Sequence, residues 1–280
     1  MDLNGQLSPS QTLELLNELG HSPVKKLGQN FLVDANIVRK SLELADVKKD
    51  DVIVEVGPGL GTLSGALLQA EAFVYAVELD RELHAYLKNH FAQVENFNLI
   101  NADAIDYPLA NLPSNVENFK IVANLPYAIS TPWLDKVLSG KLPQRMSLML
   151  QKEAAMRFSA GGGTKEFSPI SICLSEAYEV IARHKVSASC FYPKPAVDSI
   201  LLALKLKEKP FVFNPRTKEI MRYAFSKRRK QILSIAKTGG EFEKELMQWL
   251  NTDTSLPQDI RPERIDAQHW KFLDQIVCNG

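Results

Sequence analysis

Four short stretches place chemically useful side chains at the ends of apolar runs. Gly57-Pro58-Gly59-Leu60-Gly61 follows DVIVEV (51–56), Glu78 lies at the end of AFVYAVEL (72–79), Asp103 ends NLINAD (98–103), and Asn124-Leu125-Pro126-Tyr127 closes KIVANL (120–125). Glycines in a loop of this kind let the backbone turn tightly and come close to a ligand. A carboxylate at Glu78 suits a pair of ribose hydroxyls, and one at Asp103 suits an adenine amine. The set therefore reads as an adenosine site. The spacing G-x-G-x-G departs from the dinucleotide pattern G-x-G-x-x-G, and no lysine of the triphosphate-loop type follows it. This leans away from NAD and leaves S-adenosylmethionine open beside it.

The Asn-Leu-Pro-Tyr turn suits a second, planar ligand. The amino group of adenine is a poor nucleophile because its lone pair is delocalised into the ring. An Asn carbonyl oxygen and a nearby backbone carbonyl can accept its two hydrogens and draw the nitrogen toward tetrahedral geometry. Pro126 stiffens the turn and has no N–H to compete. Tyr127 offers a flat face to an extruded base. Phe191, in FYPKPAVDS (191–199), is the candidate for the opposite face. An isolated turn of this composition is usually just a loop; its weight comes from standing on successive strand ends behind a glycine loop.

The elements that must carry these residues alternate. The runs at 51–56, 72–79, 98–103, 120–125 and 146–151 read as buried strands. Helices are expected at Thr62–Ala70 and Arg81–Phe91, after the turn at 124–127 with Ser130 or Thr131 as cap, and briefly after 151. Ser8-Pro9 and Asp34 read as caps of two earlier helices. Strands alternating with helices predict an α/β, doubly wound sheet that binds its ligand at the carboxyl ends of the strands. EVIARHKV and ILLALKLK, within 178–207, are expected as an antiparallel edge. Beyond Lys207 the spacing is helical at 216–237, 241–250 and 262–277, which predicts a small all-helical C-terminal domain.

Composition narrows the class. The 280 residues are 45% hydrophobic and 24% charged, ordinary for a soluble globular chain, and no apolar run approaches a membrane span. The start MDLNGQLSPSQ has neither the basic region nor the apolar core of a signal peptide, so a cytoplasmic location is expected. Cys173, Cys190 and Cys278 are far apart and show no zinc-ligand spacing, so no metal is expected; none of the five histidines is assigned a role. The 33 basic and 33 acidic residues cancel, yet Lys205–Lys237 holds eleven Lys/Arg against two Glu. Arg222, Lys227, Arg228, Arg229 and Lys230, read here as one helical stretch, are the expected phosphate contacts. Lys25 and Lys26 are further candidates. Gly161-Gly162-Gly163 reads either as a mobile segment over a substrate or as a surface turn.

The ordered set KKLGQNFL, VEVGPGLG, VELD, NADAIDY, ANLPYAIS, MLQKE and FYPKPAVDS resembles the KsgA/RsmA ribosomal RNA adenine N6,N6-dimethyltransferases from about residue 25 to 235. The resemblance implies a Rossmann-like class I methyltransferase domain at 1–207, with an N-terminal helical extension at about 1–33, and a helical rRNA-binding domain at 208–280. It implies S-adenosylmethionine as cofactor, held by Asn30, Leu32, Gly57, Glu78, Asp103 and Asn124 with Gly59 in the same loop, and the target adenine held by Asn124, Leu125, Pro126, Tyr127 and Phe191. It implies transfer of four methyls to two adjacent adenosines in the 3′-terminal hairpin of 16S rRNA, on an assembling small subunit, without a metal; a monomer is expected from the sequence itself, in which no stretch reads as a dedicated oligomerisation helix. Two alternatives stand beside this reading: an Erm-type enzyme acting on large-subunit rRNA, and a ribosome-assembly factor whose main work is binding.

Overall fold

The computed structural model describes residues 7–279; residues 1–6 of the expected N-terminal extension lie outside them. The chain forms two compact units, Met1–Ala155 with Glu179–Leu206, and Met156–Tyr178 with Lys207–Gly280.

The first unit opens with helix α1 (Pro9–Glu18), whose Ser8 cap and Pro9 start follow the expected pattern. Strand β1 (Phe31–Leu32) and helix α2 (Ala35–Ala45, capped by Asp34) lead into the alternating part. This runs β2 (Val52–Val56), α3 (Thr62–Gln69), β3 (Phe73–Glu78), α4 (Arg81–His90), β4 (Phe97–Asn101), β5 (Lys120–Asn124), α5 (Ser130–Val137), β6 (Arg145–Gln151) and α6 (Lys152–Phe158). After α7 (Pro169–Ala177) in the second unit come β7 (Tyr178–Val186), β8 (Phe191–Tyr192) and β9 (Ser199–Leu206). The cap of α5 is not Ser130 or Thr131 as expected. The cap position is Ile129, without a side-chain bond, and Ser130 lies inside the helix, donating to the Tyr127 carbonyl at 3.2 Å.

Seven strands form one sheet in the order β4-β3-β2-β5-β6-β9-β7. The chain builds outward from β2 through β3 to β4, then returns to the other side of β2 with β5. That reversal opens a crevice at the carboxyl ends of β2 and β5, where the glycine loop and the Asn124–Tyr127 turn lie. Ile53, Val54, Val74, Ala76, Ile121 and Val122 are all buried, as parallel strands covered on both faces require. Each such Val or Ile contributes about 1.5–3 kcal/mol by leaving water. β9 runs antiparallel to β6, with Ser199 opposite Gln151, so the expected edge is present. β1 and β8 form a separate two-stranded ribbon, Leu32 opposite Phe191.

The second unit is helical: α7, α8 (Pro215–Ser226), α9 (Ile232–Ala236), α10 (Glu243–Thr252) and α11 (Ala267–Asn279). It differs from the expected 208–280 domain by including 156–178. Phe167 packs edge-on to Phe225 and Lys271 pairs with Glu176, so this stretch is held by the later helices, while the Ser171 Oγ bond to the Arg157 carbonyl braces it internally. The expected long helix at 216–237 is two helices. Residues 227–231 form the turn between them, bonded back as Lys227 N–H to Ala224 and Lys230 N–H to Lys227.

Candidate functional site

A cleft of about 660 Å³ sits at the switch point, lined by residues 27–32, the glycine loop, Glu55, Glu78 and Asn124–Tyr127. A second cavity of about 460 Å³ shares Gly57, Glu78 and Pro126 with it and reaches Asp103. The glycines are required by space as well as by conformation. Gly57 and Gly59 have φ of +65° and +60°; a Cβ on Gly59 would stand 3.1 Å from the Phe31 ring, and one on Gly57 3.3 Å from Pro126.

Glu78 is 6% exposed at the end of β3. Its carboxylate accepts the N–H of Gly59 and that of Asp80, each at 3.0 Å. Burial raises its pKa, and those two N–H bonds pull it back. Asn101 donates to the Glu78 and Leu79 carbonyls, which holds the turn. Asp103 accepts the Ile105 N–H at 2.8 Å. Glu55, buried in β2 against the cleft, receives a 2.6 Å bond from the Ser64 hydroxyl, and burial pushes its pKa up to about 8.

The Asn124 amide is oriented. Its Nδ2 donates to the Asn30 carbonyl at 2.9 Å, and among the described residues no protein donor reaches its Oδ1. Asn30 in turn donates to the Gly28 carbonyl at 3.0 Å. Leu125 N–H continues the ladder to Met149, and Pro126 accepts the Ile129 N–H, closing the turn that presents Tyr127. The Tyr127 phenol shares a 3.0 Å hydrogen bond with Ser199.

The structure thus gathers Asn30, Leu32, Gly57, Gly59, Glu78, Asn124, Leu125, Pro126 and Tyr127 around one cleft, with Asp103 in the adjoining cavity. It does not bring Phe191 there. That ring is 3% exposed and packs into the core with Leu32 and Leu201, because the β1–β8 ribbon folds it beneath the segment it pairs with.

The basic stretch is also divided. The Lys227 ammonium lies 4.1 Å over the Tyr223 ring and bonds its hydroxyl. Arg228 pairs with Glu263 at 2.7 Å and donates to the Lys165 and Thr164 carbonyls. Both are occupied within the unit. Arg222 is exposed on α8. Arg229 and Lys230 are exposed and, with Arg261 and Arg264, line a concave surface that also holds Asp259. The spacing of Arg261 and Arg264, far along the chain from Arg229 and Lys230, carried no signal that they would join them. The Gly161–Gly163 stretch is an exposed turn tied by the Gly163 N–H to Glu263.

A network missed in the sequence lies at the rim. His21 Nδ1 meets Glu82 at 2.7 Å and its Nε2 meets Gln29 at 3.1 Å. Gln29 accepts the Val24 N–H and donates to Asp80. Burial lowers the His21 pKa, but the bonds to Glu82 and Gln29 and the charges of Asp80 and Glu82 outweigh it and leave it raised. His21, Asp80 and Glu82 bring ligand atoms within 4.8 Å of one another, but the two acids face different ring nitrogens. This is a hydrogen-bonded tie that holds the wall segment 21–30 to the β3–α4 turn.

The fold and this switch-point cleft define a Rossmann-like class I methyltransferase. Residues 20–265 match the family described as ribosomal RNA adenine dimethylase, and the chain belongs to that family. It is 53% identical to a ribosomal RNA small subunit methyltransferase A from Opitutus terrae, over 95% of this chain and 98% of that one. A relative of the same description from Alkaliphilus metalliredigens is 33% identical over 97% and 98%. Among solved structures, a dimethyladenosine transferase from Plasmodium falciparum superposes with a TM-score of 0.70 at 25% identity, over 87% of this chain and 95% of that one. The 23S rRNA methyltransferase ErmE shares the fold at a TM-score of 0.62 and 22% identity, over 89% and 100%.

Proposed function

We propose that this protein transfers methyl groups from S-adenosylmethionine to N6 of two adjacent adenosines in the 3′-terminal hairpin of 16S rRNA, four methyls in all, during small-subunit assembly. The observation that carries the reading is the Asn124 amide. With Nδ2 bound to the Asn30 carbonyl, Oδ1 is the end left for a ligand, in a cleft that Tyr127 also lines. An acceptor and an aromatic side chain lining one cleft fit an exocyclic amine on a planar base.

The cleft fits the cofactor. Its floor comes close only because Gly57 and Gly59 lack a Cβ, and the buried Glu78 carboxylate has backbone N–H partners that ribose hydroxyls would join. Gly57, Gly59, Asn30, Leu32, Glu78 and Asp103 would hold it, and bound there it supplies an electrophilic methyl group. The protein's part is positioning. Asn124 accepts a hydrogen of the N6 amine and localises its lone pair, Tyr127 carries the base, and Leu125 and Pro126 hold both in one turn. Each methylated N6 carries a proton acidic enough to leave to solvent, so no strong base is needed. Phe191 acts from behind, by backing Leu32 through the β1–β8 pairing.

RNA contact is proposed to run through Arg229, Lys230, Arg261 and Arg264, with Arg222. The protein is proposed to act as a cytoplasmic monomer; no described helix is long and apolar enough to cross a membrane. The decisive experiment is transfer of labelled methyl to small subunits lacking these modifications. Label in N6,N6-dimethyladenosine of the 3′-terminal hairpin supports the reading; label in large-subunit RNA instead would replace it with the Erm-type activity, and binding to subunits without transfer would leave an assembly factor. Charge reversal at Arg229 and Arg261 should flatten the salt dependence of subunit binding by about 0.9 in the log–log slope per lost contact. An unchanged slope removes this surface from the interface.

A further inference from the structure

Tyr127 is held at backbone and at side chain. Its main-chain carbonyl accepts the Ser130 hydroxyl at 3.2 Å, and the far end of its ring, the phenol, meets the Ser199 hydroxyl at 3.0 Å. Ser199 is 1% exposed and is the first residue of β9. Because β9 is antiparallel to β6, its start, not its end, lies at the carboxyl ends of the parallel strands. That is where the turn after β5 emerges. A parallel strand in this place would have delivered its last residue instead.

Ser199 is itself fixed. It pairs with Gln151 across the β6–β9 ladder. The preceding residue, Asp198, accepts the Lys152 N–H on its carbonyl at 3.1 Å and the Ala188 N–H on its side chain at 3.0 Å. The loop between Ala188 and Ser199 is therefore closed at its base. A buried hydroxyl on such a rigid base is suited to fixing a ring that a base must rest on, since a phenol without a partner could swing about its side-chain torsions.

We propose that Ser199 is a positioning residue for methyl transfer: its hydroxyl sets the plane of the Tyr127 ring and so the height at which the target amine meets Asn124. The proposal rests on the reading of Tyr127 as the platform for the base. Its effect belongs to the chemical step and the RNA substrate, and leaves cofactor affinity alone.

The test is a double-mutant cycle on labelled-methyl transfer to unmodified small subunits, with cofactor affinity measured by calorimetry on the same proteins. Tyr127→Phe and Ser199→Ala should each lower kcat/KM by about 3- to 10-fold, the usual worth of one buried hydrogen bond. The double variant should be no worse than either single one, and Ser199→Thr, which keeps the hydroxyl, should restore most of the rate. Cofactor affinity should stay within twofold throughout. Losses that multiply in the double variant, or full activity in Tyr127→Phe, overturn the proposal, and Tyr127→Phe decides it even if Ser199→Ala fails to fold. Tyr127→Ala separates the two readings. If it keeps full activity, the platform reading itself fails; if it is inactive while Tyr127→Phe and Ser199→Ala are unimpaired, only the role of Ser199 falls.

Discussion

The two ends of the seven-stranded sheet treat buried charge in opposite ways. At the amino end, Lys120 at the start of β5 is nearly buried and meets the Asp51 carboxylate at 2.6 Å and the Asp46 carbonyl at 2.5 Å. Arg145, at the start of β6, stands 3.8 Å from Asp46. The Asp46 carboxyl is held below its ordinary range, first by its bond to Lys48 and further by the charges of Lys48, Arg145 and Lys120. At the carboxyl end, Glu55 and Glu78 are buried deeper, yet no cation pairs with either among the described residues, and burial raises both. A paired charge holds strands in place. An unpaired buried acid costs stability and is worth keeping only where a ligand will meet it.

The contrast is open to attack from both ends. The largest effect should come from Lys120→Met, which strands Asp51 and should cost about 3–5 kcal/mol in urea unfolding while leaving methyl transfer per folded molecule unchanged. A parallel loss of transfer would show that the two ends are not separate in role. Next, Asn124→Ala should lower transfer about 100-fold or more, the usual penalty for losing a group aimed at the reacting atom, with little change in unfolding midpoint. Retained activity would remove Asn124 from the chemistry.

Glu55 makes the carboxyl end sensitive to pH. Its folded pKa, about 8, lies above the ordinary 4.5. Its favourable contribution is therefore complete below the ordinary value and is lost as pH rises through the folded one. Stability should fall across that window with a slope approaching ~1.4 kcal/mol per pH unit, and Glu55→Gln should flatten it. Identical pH profiles for the two proteins would mean that Glu55 is not protonated in the fold. The smallest effect is expected from His21→Asn, which frees Gln29 from one of its ties. Cofactor affinity measured by calorimetry near neutral pH should drop about 3- to 10-fold, the worth of one ordinary hydrogen bond, because the network acts on the cofactor only through the wall segment it ties down. An unchanged affinity would reduce the rim network to a structural tie.

The α/β order was legible along the chain, because apolar runs of strand length ending in glycine, acid or Asn-Leu-Pro-Tyr are local patterns. Local pattern also marked the helix starts at Ser8 and Asp34, where a side chain caps its own neighbours, and most of the cleft, since residues that follow parallel strands must meet at one end of the sheet. Tertiary packing set what depends on distant partners. It folded Phe191 into the core, since burial of that ring is set by β1, far away in the chain. It broke the 216–237 helix at Lys227–Gln231 and consumed Lys227 and Arg228 internally, because Tyr223 and Glu263 happened to be within reach. It moved 156–178 into the helical unit and set Arg261 and Arg264 beside Arg229. It also made Ser199 and His21 matter, since a hydrogen bond between residues 72 or 61 positions apart leaves no periodic trace in a sequence.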